Sequence, residues 1–135
     1  MTGTDFDFER KAYAEMLEWK RTIAGKTALL VEGARRVGKT HLVKRFAEGE
    51  YESHVFIDFS EKGSRTRAFK RAFEECDGTA DLLERIQLAA ETSLVPGKSC
   101  VVFDEVQRFP PAREAIKQLV AYGKYHYIET GPDIN

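Results

Sequence analysis

Apolar and polar residues follow two different patterns along this chain, a helical period and short continuous apolar runs. From about residue 7 to residue 21, apolar side chains recur every three or four positions, which predicts an amphipathic first helix. The apolar positions of that helix are Phe8, Ala12, Tyr13, Met16 and Leu17. Trp19, near its end, is expected to pack in the core. The run TALLVE at residues 27–32 is rich in aliphatic residues and predicts a buried strand.

Further strands and helices follow in alternation. Strands are predicted in HVFIDF (54–59), SCVVFD (99–104) and YHYIET (125–130). Helices are predicted at 39–48, with Gly49 as the C-cap, at 65–75, at 80–91, and after Pro110 and Pro111. Strands that are apolar on both faces and alternate with helices predict an α/β fold, with a mainly parallel sheet between two layers of helices. We expect one domain spanning residues 1–135, with ligands at the carboxyl ends of the strands.

Composition narrows the class of protein. Hydrophobic residues make up 42% and charged residues 32% of the chain, which is typical of a globular protein. The formal net charge of −1 gives no overall attraction to nucleic acid or acidic lipid. The apolar runs are too short for a membrane span and the acidic start does not resemble a secretory signal, so we expect a cytoplasmic protein. Cys76 and Cys100 form no CxxC motif and are expected to be reduced thiols.

The segment GARRVGKT at residues 33–40 has the pattern GxxxxGK[ST] of a phosphate-binding loop. Its glycines allow successive backbone N–H groups to point at one anion, and the following helix directs its positive dipole end there. Lys39 supplies a charge for the β and γ phosphates, and the Thr40 hydroxyl is a ligand for Mg²⁺. Arg35 and Arg36 either add charge near the phosphates or extend into water. The predicted nucleotide-binding residues are Gly33, Ala34, Arg35, Arg36, Val37, Gly38, Lys39, Thr40 and His41.

Two carboxylates and one hydroxyl complete the predicted site. Asp104 ends the apolar run CVVFD, where it is expected to hold Mg²⁺ opposite Thr40. Glu105 comes next and is suited to orient or deprotonate a water that attacks the γ phosphate. Thr130 ends the fourth predicted strand. If that strand lies between the first and the third, its hydroxyl faces the γ phosphate and can sense it.

These residues together resemble the prokaryotic AAA-like P-loop ATPases, whose ATPase module is followed by further C-terminal elements. The resemblance covers the opening helix with LEWKR and the segments LLVEGARRVGKTHLVKRF, VFIDFSE, VVFDEVQRFPPA and YHYIETG. It implies that GARRVGKT is the Walker A loop, VVFDE the Walker B strand and Thr130 the sensor 1 residue. It also implies ATP and Mg²⁺ as ligands and a three-layer α/β/α fold with the strand order 5-1-4-3-2.

The sequence departs from this family pattern after Thr130. A fifth strand and a helical lid would follow there, but the sequence given ends at GPDIN, so we expect the order 1-4-3-2 and a core that is incomplete at its C-terminus. The first strand should then present an unpaired edge to a second copy or another protein. Without a lid, affinity should depend on the triphosphate and Mg²⁺ more than on the base. Since no arginine finger is located, hydrolysis should be slow.

Several other classes of protein share a phosphate-binding loop or bind phosphate groups, and each needs further sequence features. A GTPase would need an NKxD motif, and the only asparagine is Asn135. A small-molecule kinase would need an arginine-rich lid, whereas the basic residues near residues 62–71 are expected to form the solvated face of a helix. Nucleic-acid binding is not indicated, since the chain has no basic stripe with interleaved aromatic residues. The serious alternative is a non-hydrolysing ATP-binding interaction module, or a remnant of a longer ATPase, which the motifs do not separate from an enzyme.

Overall fold

After one long helix, each strand is followed by one or two helices before the next strand, as the apolar pattern predicts. The computed structural model describes residues 3–33 and 38–132, with side chains from residue 7 onward. The helices are α1 (Gly3–Thr22), α2 (Lys39–Glu50), α3 (Ser64–Glu75), α4 (Thr79–Ala90) and α5 (Pro110–Tyr122). The strands are β1 (Leu29–Glu32), β2 (Ser53–Asp58), β3 (Ser99–Asp104) and β4 (His126–Gly131). A short 3₁₀ helix, Val106–Arg108, joins β3 to α5.

The sheet has the predicted strand order. Its four strands lie in the order β1-β4-β3-β2, and each neighbouring pair is parallel. β4 therefore lies between β1 and β3, with Val31 opposite Thr130 and Phe103 opposite Glu129. Because all strands run in the same direction, their carboxyl ends meet at one edge of the sheet, where ligands bind in folds of this kind.

The side chains of each strand alternate between two hydrophobic clusters, which makes the fold three-layered. Val101 and Phe103 of β3 pack with buried residues of α3, α4 and α5. Cys100 and Val102 face the opposite way and pack with α1 and α2. All six residues of β3 are buried, since the strand has helices on both faces and a strand on either side. The α/β/α class is confirmed.

The predicted apolar face of α1 is only partly correct. Met16 and Trp19 are buried, at 3% and 5% exposure, but Phe8 is 48% exposed and Leu17 39%. Leu17 follows Met16 directly, so it is rotated by about 100° around the helix, away from the buried side. The buried α1 residues of the cluster lie in its last two turns, well beyond Phe8. The C-terminal part of α1 therefore makes most of the buried contacts between this helix and the rest of the domain.

Gly49 was predicted to cap α2, and this is wrong. The helix continues through Gly49 to Glu50, and Tyr51 ends it in an extended conformation. A Cβ atom on Gly49 would lie 3.3 Å from the hydroxyl oxygen of Tyr13 on α1. Tyr13 donates a hydrogen bond of 2.9 Å to Glu50. Gly49 thus lies inside α2, facing Tyr13 of α1, and does not end the helix.

The basic residues around the start of α3 were predicted to lie on a solvated helix face. Arg65, Arg67 and Arg71 are exposed on α3 and Lys62 is exposed just before it, while Phe69 is 3% exposed, so most of the predicted basic cluster is solvated. Lys70 is the exception, since it is half-buried and its ammonium group lies over the ring of Phe109. Both cysteines are free thiols. Among the described residues, no helix has the length and apolar character that crossing a membrane requires.

Candidate nucleotide-binding site

The candidate site lies at the carboxyl ends of β1, β3 and β4, around the start of α2. Gly33 and Gly38, which flank the loop, have φ angles of 147° and 78°. These are conformations that glycine adopts far more readily than other residues, as the phosphate-loop pattern requires. Residues 34–37, and with them the predicted contacts of Ala34, Arg35, Arg36 and Val37, lie outside the described residues.

Lys39 is the buried cation of the site. Its ammonium group donates to the carbonyl oxygens of Gly33 and Gly131, each at 3.0 Å. Its Nζ also lies 2.9 Å from Oε1 of Glu105, and the two side chains are 2% and 7% exposed. A buried ammonium group needs such oxygen partners, because loss of hydration would otherwise be very unfavourable. Lys39 is therefore held at the junction of β1, β4 and the residue after β3.

Thr40 and Asp104 place oxygen atoms side by side. The Thr40 hydroxyl, in the first turn of α2, is 3.2 Å and 3.3 Å from the two carboxylate oxygens of Asp104, the last residue of β3. Thr130 of β4 donates a 2.7 Å hydrogen bond to the same carboxylate. Burial raises the pKa of Asp104, hydrogen bonds from Thr130 and Thr40 oppose the rise, and the charge of Asp58 adds to it. A cation beside this carboxylate would favour its ionised form.

Glu105 adopts a conformation that turns its side chain toward Lys39. Its φ and ψ are 58° and 49°, in the left-handed region that non-glycine residues seldom adopt. Its N–H donates to the Thr130 hydroxyl at 2.9 Å. The other carboxylate oxygen, Oε2, accepts a 2.7 Å hydrogen bond from Nε2 of Gln107 in the following 3₁₀ helix. The carboxylate thus has an identified partner on each oxygen.

Among the described residues, the structure brings together the predicted side chains of Lys39, Thr40, Asp104, Glu105 and Thr130. Direct contacts link Lys39 to Glu105, Thr40 to Asp104, and Asp104 to Thr130. Thr130 is fully buried, and its hydroxyl contacts Asp104 and the backbone of Glu105. His41 is exposed on α2.

Three residues of the site were not predicted from the sequence. Gln107 contacts Glu105, and the carbonyl of Gly131 accepts from Lys39. Glu9 of α1 lies beside the end of the loop, with Oε1 3.7 Å from where a Cβ on Gly38 would be. Of these three, only Gln107 could have been identified from the sequence, because it is a polar residue two positions after Glu105. The other two depend on long-range packing, which a local motif does not encode.

The fold and this arrangement of residues define the class of protein, a P-loop NTPase-like α/β domain. A comparison with family models gives a match to an AAA domain over residues 25–134. The chain belongs to the AAA domain family, an AAA-like P-loop ATPase family, and is a nucleotide-binding domain of the ATPase type. A comparison with curated proteins gives no match.

Proposed function

We propose that this domain binds ATP together with Mg²⁺ and hydrolyses it slowly. One observation carries the proposal: a buried lysine at the end of a glycine-flanked loop lies next to a hydroxyl and a carboxylate that face each other at 3.2 Å. Phosphate oxygens can accept hydrogen bonds from the Lys39 ammonium group, and Mg²⁺ can be coordinated by the oxygens of Thr40 and Asp104.

The phosphates would bind at Lys39 and the start of α2. The Lys39 ammonium already interacts with three oxygens, two carbonyls and one carboxylate. Phosphate oxygens can take the place of the Glu105 carboxylate, since both are anionic acceptors. The first N–H groups of α2 have no partner within the helix and attract the same anion.

Thr40 and Asp104 fit the requirements of Mg²⁺. The metal prefers hard oxygen ligands, often one or two carboxylates with phosphate oxygens and water. The Thr40 hydroxyl and the Asp104 carboxylate are such ligands and come from two different elements, α2 and β3. When bound, Mg²⁺ supplies positive charge that offsets the charge of the phosphates.

Glu105 is the proposed general base. In hydrolysis, the oxygen of water forms a bond to the γ phosphorus, the bond from that phosphorus to the β–γ bridging oxygen breaks, and ADP leaves with the electron pair. The proton lost by the water passes to Glu105. Thr130 would sense the γ phosphate indirectly, because its hydroxyl contacts both Asp104 and the backbone of Glu105.

The Lys39–Glu105 ion pair favours slow turnover. At 2.9 Å, Glu105 interacts with Lys39 and has to leave it before it can act on water. The same observation supports the second candidate function, an ATP-binding module without useful hydrolysis, in which Glu105 returns to Lys39 whenever the site is empty.

Nucleotide binding with and without Mg²⁺ tests the proposal. We expect Lys39→Met to weaken ATP binding at least about thirtyfold, the effect of losing a buried charge contact. Lys44→Met is the matched control, since Lys44 is exposed on the same helix, and it should bind ATP as the unaltered chain does. If Lys39→Met and Lys44→Met bind ATP equally well, the proposed site is wrong.

Phosphate release separates the two candidate functions. Slow Mg²⁺-dependent release that is lost in Glu105→Gln supports the ATPase. Tight ATP binding without release above the Glu105→Gln background supports the non-hydrolysing module. Fast release by the unaltered chain would contradict the inference of slow turnover.

A second copy of the chain or another protein is the proposed partner of the outer edge of β1. Among the described strands, β1 pairs only with β4, and Leu30 is 41% exposed. An unpaired strand edge offers backbone hydrogen bonds to an added strand. Light scattering over a range of concentrations tests self-association, and a monomer at every concentration would leave only a different protein as the partner.

A further inference from the structure

Gln107 is placed to control the position of Glu105. It lies in the 3₁₀ helix Val106–Arg108, which begins directly after Glu105. Its Nε2 donates a 2.7 Å hydrogen bond to Oε2 of Glu105 although the residue as a whole is exposed. Holding the Gln107 side chain in this hydrogen bond costs conformational entropy. Because Gln107 is exposed, burial in the core does not offset that cost.

The two oxygens of Glu105 have different kinds of partner. Oε1 is ion-paired with Lys39 at 2.9 Å, and Oε2 accepts from Gln107 at 2.7 Å. Phosphates that bind to Lys39 would remove the first interaction and leave the second. Gln107 can then keep the carboxylate at the site after its cation has been taken.

The chemistry of an amide suits this role. The neutral N–H donor of Gln107 orients a carboxylate without adding a positive charge, so Glu105 can still accept a proton. A Cβ on Gly131 would lie 3.4 Å from Oε1 of Gln107, so the amide rests against a residue that has no side chain. The carbonyl oxygen of the same Gly131 accepts a hydrogen bond from Lys39. Gln107 and Lys39 therefore both contact the last residue of β4.

We propose that Gln107 is a positioning residue, which holds Glu105 in place once a nucleotide has separated it from Lys39. This inference rests on the proposed function, because it assumes that phosphates bind at Lys39. It adds a residue and an order of events: the ion pair breaks on binding, and the hydrogen bond to Gln107 persists through hydrolysis.

The first test compares Gln107→Met with Gln118→Met. Methionine keeps the length of glutamine and removes the donor, and Gln118 is an exposed glutamine on α5 that serves as the control. In ATP hydrolysis with Mg²⁺, we expect Gln107→Met to lower kcat about tenfold or more, because a misplaced base slows the chemical step, while KM falls by no more than about threefold. Gln118→Met should leave both constants unchanged.

A second background makes the test specific for Glu105. In Glu105→Gln, where hydrolysis is already lost, adding Gln107→Met should leave the affinities for ATP and ADP unchanged, because the carboxylate that it positions is gone. A change of these affinities in the Glu105→Gln background, or an unchanged kcat for Gln107→Met in the otherwise unaltered chain, would overturn the inference while nucleotide binding by the unaltered chain still supports the proposed function.

Nucleotide affinity gives a readout that does not depend on hydrolysis. Without Gln107, Glu105 can move away from the γ phosphate, so the ratio of ATP affinity to ADP affinity should rise about threefold, the repulsion of two unit charges roughly 6 Å apart in water. This rise should vanish in the Glu105→Gln background. An unchanged ratio for Gln107→Met contradicts the inference even if the chain does not hydrolyse ATP. Failure of the unaltered chain to bind either nucleotide would refute the proposed function and this inference with it.

Discussion

The strongest prediction concerns the stability of the nucleotide-free protein when Lys39 is replaced by methionine. The side chains of Lys39 and Glu105 are 2% and 7% exposed and 2.9 Å apart, so the substitution removes the ammonium group of a buried ion pair. The carbonyl groups of Gly33 and Gly131 also lose a donor. Breaking a buried ion pair from one side lowers the free energy of unfolding by about 3–5 kcal/mol. Because Gln107 still donates to Glu105, we expect the lower value, about 3 kcal/mol.

That loss is large compared with the total stability of about 5–15 kcal/mol that is typical of a domain. With a urea m-value of about 2 kcal/mol/M, it corresponds to a fall in the unfolding midpoint of about 1.5 M, which circular dichroism in urea resolves easily. Lys44→Met, on the exposed side of the same helix, loses only a contact between its ammonium group and the ring of Phe56 and should cost less than about 1 kcal/mol.

The double variant Lys39→Met/Glu105→Gln shows whether the loss of stability comes from the broken ion pair. If the loss comes from removing the ammonium group beside the buried Glu105 carboxylate, neutralising Glu105 as well should restore at least about 1.5 kcal/mol. A double variant no more stable than Lys39→Met, or a loss below about 1 kcal/mol in the single variant, would refute the reasoning.

Three further predictions follow from other parts of the fold. Gly49→Ala should stabilise α2 by about 0.5 kcal/mol in urea unfolding, since alanine favours the helix and the hydroxyl of Tyr13 has to yield only slightly; a loss above about 1 kcal/mol would contradict this. Burial lowers the pKa of His126, with help from a nearby lysine, so the unfolded chain takes up the proton first and stability should decline as pH falls below about 6.5. A His126→Gln variant with the same decline between pH 8 and pH 5 would contradict that assignment. Burial also raises the pKa of Cys100 to about 12, so iodoacetamide should label only Cys76 in the folded protein and both thiols in urea; native labelling of Cys100 would show that the thiol is accessible.

The family resemblance implied the order of the strands, and the structure confirms it. The places of Lys39 and Asp104 in the fold could be predicted from the sequence itself, because GARRVGKT directly follows one apolar strand and VVFDE is another apolar strand that ends in acids. The position of Thr130 followed once β4 was placed between β1 and β3.

The interactions within the site could not be predicted in the same way. The contact of Lys39 with Glu105 depends on the left-handed backbone of Glu105, which no neighbouring glycine or asparagine signals. Gly49 was mistaken for a cap because a glycine near a helix end often is one, whereas here α2 continues one residue further to Glu50, whose carboxylate accepts a hydrogen bond from Tyr13 of α1. Local patterns specify elements, and tertiary contacts then select among their possible roles.

Trp19 offers a practical advantage for all of these measurements. It is the single tryptophan of the chain, is 5% exposed, and donates from its indole nitrogen to the carbonyl of Thr27. Its ring contacts His126, the first residue of β4, whereas the phosphate site lies beyond the last residues of that strand. Intrinsic fluorescence should therefore report global denaturation from a place that nucleotide does not touch, so that a spectral change on adding ATP would reveal a rearrangement transmitted through the length of the sheet.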